Sequence, residues 1–153
     1  MNIKDEIQKL QKNRFLRNVN EVHGFEEAIE NIISVQDVVL VRDLCSGFDD
    51  QTDDHEVMFG LIHAIEGFEG EEGLFEMAKA IPEMLPHAKE WATTLHYRIL
   101  NHAPSRQLYA KVLKRVNLKV KNSIVEILKE IKAEDPGRFE SAVNELFSNM
   151  KSM

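Results

Sequence analysis

Apolar residues recur three and four positions apart over most of this chain, and strict apolar–polar alternation is nearly absent. That period belongs to helices that bury one face. Residues 2–16 set Ile3, Ile7 and Leu10 at helical spacing, with Arg14 continuing the register. A second helix is expected after Gly24, carrying Phe25, Ala28, Ile29, Ile32 and Ile33 and ending at Ser34. Residues 35–48 contain Val38-Val39-Leu40-Val41, a strand on propensity alone. A helix is expected there all the same, because Leu40, Val41, Leu44 and Cys45 keep the 3.6-residue spacing and no second strand is available to pair with it.

The polar break from Asp49 to Asp54 is rich in residues that cap helix N-termini, and the clearest helix follows it. Met58, Leu61, Ile62, Ile65 and Phe68 form its apolar stripe, while Glu56, Phe59, His63, Glu66 and Gly67 fall on the other side. Gly67, Gly70 and Gly73 end it. A further helix over residues 74–85 is bent or interrupted by Pro82, and Pro86 suits the first turn of another over residues 87–101, with Trp91, Leu95 and Ile99 on its core stripe. Ser105 begins the next, carrying Leu108, Tyr109, Val112, Leu113 and Val116; two more cover residues 118–132 and 136–150, the last opened by Asp135-Pro136. The expectation is an all-α fold of about nine helices in one domain over residues 1–153. Helix pairs over residues 24–46, 53–85, 86–116 and 118–150 recur at just over thirty residues, which suggests stacked antiparallel α-hairpins of HEAT-like kind. A compact helical bundle is the alternative.

Composition narrows the class. At 153 residues, 43% hydrophobic and 29% charged, the chain has the balance of a folded domain with its own core. Cys45 is the single cysteine, which rules out an intrachain disulfide and fits a reducing compartment. The charged N-terminus lacks the apolar stretch of a signal peptide, and no run approaches the length needed to cross a bilayer, so a cytoplasmic location is expected.

Charge is unevenly spread. Residues 1–101 carry 20 acids and 9 bases, whereas residues 102–153 carry 6 acids and 10 bases. Residues 37–76 alone hold 12 acids against the one base Arg42. Such a field repels nucleic acid and anionic membranes and attracts basic partners.

Catalytic patterns fail one after another. His55-Glu56 begins a metalloprotease HExxH, but Phe59 stands where the second histidine is needed. The acidic loop lacks the central glycine and terminal glutamate of a calcium loop in either register. Glu56, His63, Glu66 and His96 make a rival metal set, although the close pair His63 and Glu66 runs in the reverse of the Glu-x-x-His order used in di-metal bundles. Cys45 falls on an apolar stripe and reads as a buried, inert thiol. The glycine-rich stretch 67–73 has the wrong spacing for phosphate, and its acids repel one. No cofactor is expected. Arg98 and Arg42 are expected to form internal ion pairs with carboxylates.

What remains is the acidic region. A solvated surface explains most charge runs. Here the acids flank one helix at both ends with no lysine among them, and Phe59 sits between them as a candidate aromatic anchor. The partner-binding candidates are Asp49, Asp50, Asp53, Asp54, Glu56, Phe59, Glu66, Glu69, Glu71 and Glu72.

The segment from Leu44-Cys45-Ser46-Gly47-Phe48-Asp49-Asp50 through Asp54-His55-Glu56-Val57-Met58-Phe59-Gly60 to Glu66 resembles immunity proteins of bacterial polymorphic toxin systems. The later Ala88-Lys89-Glu90-Trp91 and Leu95-His96-Tyr97-Arg98-Ile99-Leu100-Asn101 extend the likeness over residues 25–115. The resemblance implies a small cytoplasmic protein, not an enzyme, that binds the cognate toxin domain of its own or sibling cells and blocks it. It assigns no site residues, so the acidic face rests on charge. Many such toxins are nucleases, whose basic clefts an acidic inhibitor would fit. The competing classes are a helical scaffold for basic proteins or peptides and a metal-dependent enzyme built on the histidine–glutamate set.

Overall fold

The computed structural model describes residues 1–151, and among these every regular element is helical. Eight helices follow in order: α1 (Ile3–Lys12), α2 (Val19–Ser34), α3 (Leu40–Cys45), α4 (His55–Glu66), α5 (Glu71–Leu100), α6 (Ala103–Arg115), α7 (Leu118–Glu134) and α8 (Pro136–Lys151). Short polar side chains start most of them. Asn2, Asn18, Asp54 and Asn117 accept from backbone N–H groups of the first turns of α1, α2, α4 and α7. Asp135 does the same ahead of α8, where its carboxylate accepts from the Arg138 N–H at 3.3 Å.

Several boundaries differ from expectation, beginning with α1, expected over residues 2–16, which ends at Lys12. Gly24 lies inside α2 and does not precede it. A Cβ there would stand 2.6 Å from the Asn13 amide, so the glycine serves the close approach of the end of α1. The helix expected over residues 35–48 is reduced to Leu40–Cys45, because Gln36 takes a left-handed turn (φ 58) and the Asp37 carboxylate accepts from the Val39 N–H. The helices expected over residues 74–85 and 87–101 are joined in one element, α5, which runs unbroken through Pro82; the division expected at Pro86 is present as a kink between two helical segments at Ala88 (φ −142, ψ 34). Nine helices thus become eight.

A contiguous set of buried apolar side chains draws on all eight helices. α1 packs on α2, and α3 and α4 bridge α2 to α5. Beyond them α5, α6, α8 and α7 form a ring in which each helix packs on the next and α7 closes back on α5. A compact helical arrangement fits these contacts; the stacked HEAT-like hairpins expected from the spacing are not confirmed, and α3, at about a turn and a half, is too short to form a full hairpin arm.

Candidate protein-binding surface

The acidic segment begins where α5 bends. Pro86 brings no N–H, and the kink at Ala88 opens the α5 hydrogen-bond ladder. Asp50 fills the opening from forty residues upstream. Its N–H donates to the His87 carbonyl at 2.9 Å, and its carboxylate accepts from the N–H groups of Glu90 (3.1 Å) and Trp91 (3.3 Å). It therefore acts as an N-cap for the second half of α5. Asp49, only 4% exposed, accepts from Arg14 Nε at 3.2 Å and from the Gln51 N–H at 2.8 Å, while its carbonyl accepts from Trp91 Nε1 at 3.2 Å. Trp91 is stacked on Phe48, meets Phe59 edge-on at 5.4 Å and lies 5.7 Å from the His55 ring.

The ten candidates therefore divide. Asp49 and Asp50 are turned into the fold, and Asp54 caps α4 by accepting from the Val57 N–H at 3.0 Å. Phe59 is half-buried against Trp91 and does not stand out as an isolated anchor. Glu66 is exposed and receives both Nε and an Nη of Arg98, at 2.6 and 2.9 Å. Arg115 holds Glu71 and Glu72 together from α6, each at 2.8 Å, with its guanidinium 4.0 Å over the Phe75 ring. That contact lowers the Glu72 carboxyl below its ordinary range. Asp53, Glu56 and Glu69 are exposed, and their carboxylates make no hydrogen bond or ion pair among the described residues. The exposed stripe of α4 carries Glu56, Gly60, His63 and Glu66.

Both arginines form ion pairs, Arg98 with Glu66 and Arg42 with Glu83 at 2.7 Å, but the pairs lie at the exposed surface and are not internal as expected. The rival metal set is separated. His96 is fully buried, its Nδ1 2.7 Å from the Ala92 carbonyl and its Nε2 2.7 Å from the Tyr109 hydroxyl. A carbonyl only accepts, so Nδ1 carries the proton and the Tyr109 hydroxyl donates to Nε2. Burial lowers the His96 pKa to about 4, which keeps the ring neutral. Among the described residues no group of three or more His, Cys, Asp or Glu is placed to hold a metal ion. Cys45 is buried, and desolvation pushes its thiol up to about 12, far from a nucleophile's range.

One feature escaped the residue pattern. Between the α4–α5 turn and the α5–α6 corner lies a groove of about 670 Å3 whose apolar walls include Phe68, Leu74 and Leu108 and whose edge carries Glu66, Glu69 and Arg98. Its only sequence signal is Phe68, the last residue of the α4 stripe, which is left half-buried.

No helix of the described residues is long and apolar enough to cross a membrane. No curated protein and no solved structure matches the chain. The profile of the family described as Immunity protein 30 matches residues 12–109, from the end of α1 into α6, and so takes in the Asp50 cap, all of α4 and the whole of the kinked α5. With more than half of its length matched, the chain belongs to the Immunity protein 30 family.

Proposed function

We propose that this protein neutralises a bacterial toxin domain by binding it through the acidic side of α4 and the turns that flank it. The observation that carries the reading is that the matched family segment contains Asp53, Glu56 and Glu69, three exposed carboxylates that form no hydrogen bond or ion pair among the described residues. Glu66, Glu71 and Glu72 extend the same acidic border, while Asp49, Asp50, Asp54 and Phe59 hold it in place from behind. Unpaired acids on a rigid surface steer a basic partner into contact and then meet its cations directly. A nuclease fits this description, since its cleft must hold a phosphate backbone. The protein is then a non-enzymatic inhibitor of a polymorphic toxin, acting in the cytoplasm and binding neither nucleic acid nor membrane.

The test is the combined variant Asp53→Lys, Glu56→Lys and Glu69→Lys, assayed against the cognate toxin domain, which is first identified as the protein that co-purifies with this chain. Affinity is expected to fall by about 100-fold or more, with circular dichroism and melting temperature unchanged. Co-expression should then no longer protect cells from the toxin. Undiminished affinity would remove the acidic face from the interface.

A further inference from the structure

The geometry points to the groove between the α4–α5 turn and the α5–α6 corner as the seat of a partner loop, one that inserts a large apolar side chain and sets a lysine or arginine beside Glu69. This rests on the reading that a protein partner docks on the acidic side of α4, and it adds where the partner's anchor goes. The groove's floor is Ile65, Leu95 and Ile99, each nearly buried, and its walls are the half-buried Phe68, Leu74 and Leu108. About 670 Å3 lies within the range of cavities that hold compact ligands or side chains.

The charge around this apolar space selects the occupant. Arg98 is spent on Glu66, Arg115 on Glu71 and Glu72, and the His102 ring nitrogen faces the Ser105 hydroxyl at 2.7 Å. Glu69 alone at the edge has a carboxylate without a partner among the described residues. An anionic ligand would meet no free cation here and an uncompensated negative charge, whereas an apolar group flanked by a cation meets complementary surface on both counts. The groove also continues the exposed stripe of α4. Glu56 and Glu66 are ten residues apart, or about 15 Å of helix, so a partner covering that stripe arrives at the groove from the C-terminal end of α4. Gly70, held at φ +96, turns the chain between Glu69 and the start of α5 and so fixes where this carboxylate stands.

The direct probe is a set of capped dipeptides followed by methyl NMR of the whole protein: acetyl-Phe-Lys-amide, acetyl-Phe-Glu-amide and acetyl-Gly-Lys-amide. Saturable shifts at the Ile65, Leu74 and Leu108 methyls are expected with Phe-Lys, and binding weaker by about fivefold or more with each of the other two. Glu69→Gln should bring Phe-Lys to the level of Phe-Glu, and Leu108→Trp, which fills the space with its own side chain, should abolish the shifts. Equal binding of Phe-Lys and Phe-Glu, or no shift at the groove methyls, would overturn the proposal. In the complex with the co-purified toxin domain, Glu69→Gln and Leu108→Trp should each weaken affinity. If they do not while Asp53→Lys with Glu56→Lys does, the groove falls and the acidic face stands; if neither pair acts, both fall. Glu69 is exposed, so its variant reports even if Leu108→Trp fails to fold.

Discussion

Acid should weaken this fold through one buried imidazole. His96 is fully buried with both nitrogens engaged, and burial lowers its pKa from 6.5 to about 4. In the unfolded chain the ring returns to its ordinary value and takes up a proton that the folded state refuses. The stability it contributes is therefore fully present above pH 6.5, declines as pH falls, and levels off below about 4. From the two pKa values the loss is about 2 kcal/mol at pH 5 and about 3 kcal/mol at pH 4, a large part of the roughly 5–15 kcal/mol typical of a folded domain. The carboxyls of Glu21, Glu27 and Glu72 are lowered by their cationic partners, so their effects fall below the ordinary carboxylate range, while that of Asp43 is raised by burial and works in the opposite sense to the histidine as pH falls. Urea titrations followed by the fluorescence of Trp91, the one tryptophan, measure the effect at pH 7, 6 and 5. His96→Gln cannot titrate; it should be less stable at pH 7, and the gap to the parent should close by about 2 kcal/mol at pH 5. Parallel curves for the two proteins would refute the assignment of acid sensitivity to His96.

Two further outcomes follow from the same packing. Asp50→Ala removes the cap at the α5 kink and should cost about 1–2 kcal/mol by urea unfolding, with a red shift of Trp91 emission, whereas Asp50→Asn should retain most of the stability. Cys45, buried with its thiol pushed up to about 12, should resist iodoacetamide in the native protein at pH 8 and react on unfolding, as mass spectrometry would read.

The all-helical class was legible because Met58, Leu61, Ile62 and Ile65 and the matching runs elsewhere admit only one buried face at 3.6-residue spacing, and each of them is buried. The strand-like run Val38–Val41 forms no strand, since a lone strand has nothing to pair with, but only its last two residues enter the helix expected there. Pro82 misled, since the helix passes through it, whereas Pro86 marked a real division, although local sequence does not say who repairs the broken ladder. Pro82 is carried within α5, and the bend after Pro86 is mended by Asp50, a residue invisible to any window around residue 86. Gly24 misled in the same way: its cause is Asn13 across a helix pair, which no local pattern contains.

The acidic run exposes a deeper ambiguity, because a count of carboxylates does not say whom they serve. Aspartate's short side chain reaches the backbone and so tends toward caps and turns, whereas glutamate's longer one reaches across to arginines or into solvent. The chain follows that division: Asp49, Asp50 and Asp54 bind backbone N–H groups, Glu66, Glu71 and Glu72 hold Arg98 and Arg115, and of the aspartates in the break only Asp53 leaves its carboxylate to solvent. These roles support one another in an inhibitor. Ordering loops on binding costs affinity, and a surface already in its bound shape avoids that cost. The inward aspartates tie the 49–54 turn to the α5 kink and to α4, so Asp53 and Glu56 are presented from a fixed frame. The acidic 49–54 turn is thus also anchored to α5 and α4 by its own aspartates, the combination expected of a surface that must meet a basic cleft without first being ordered by it.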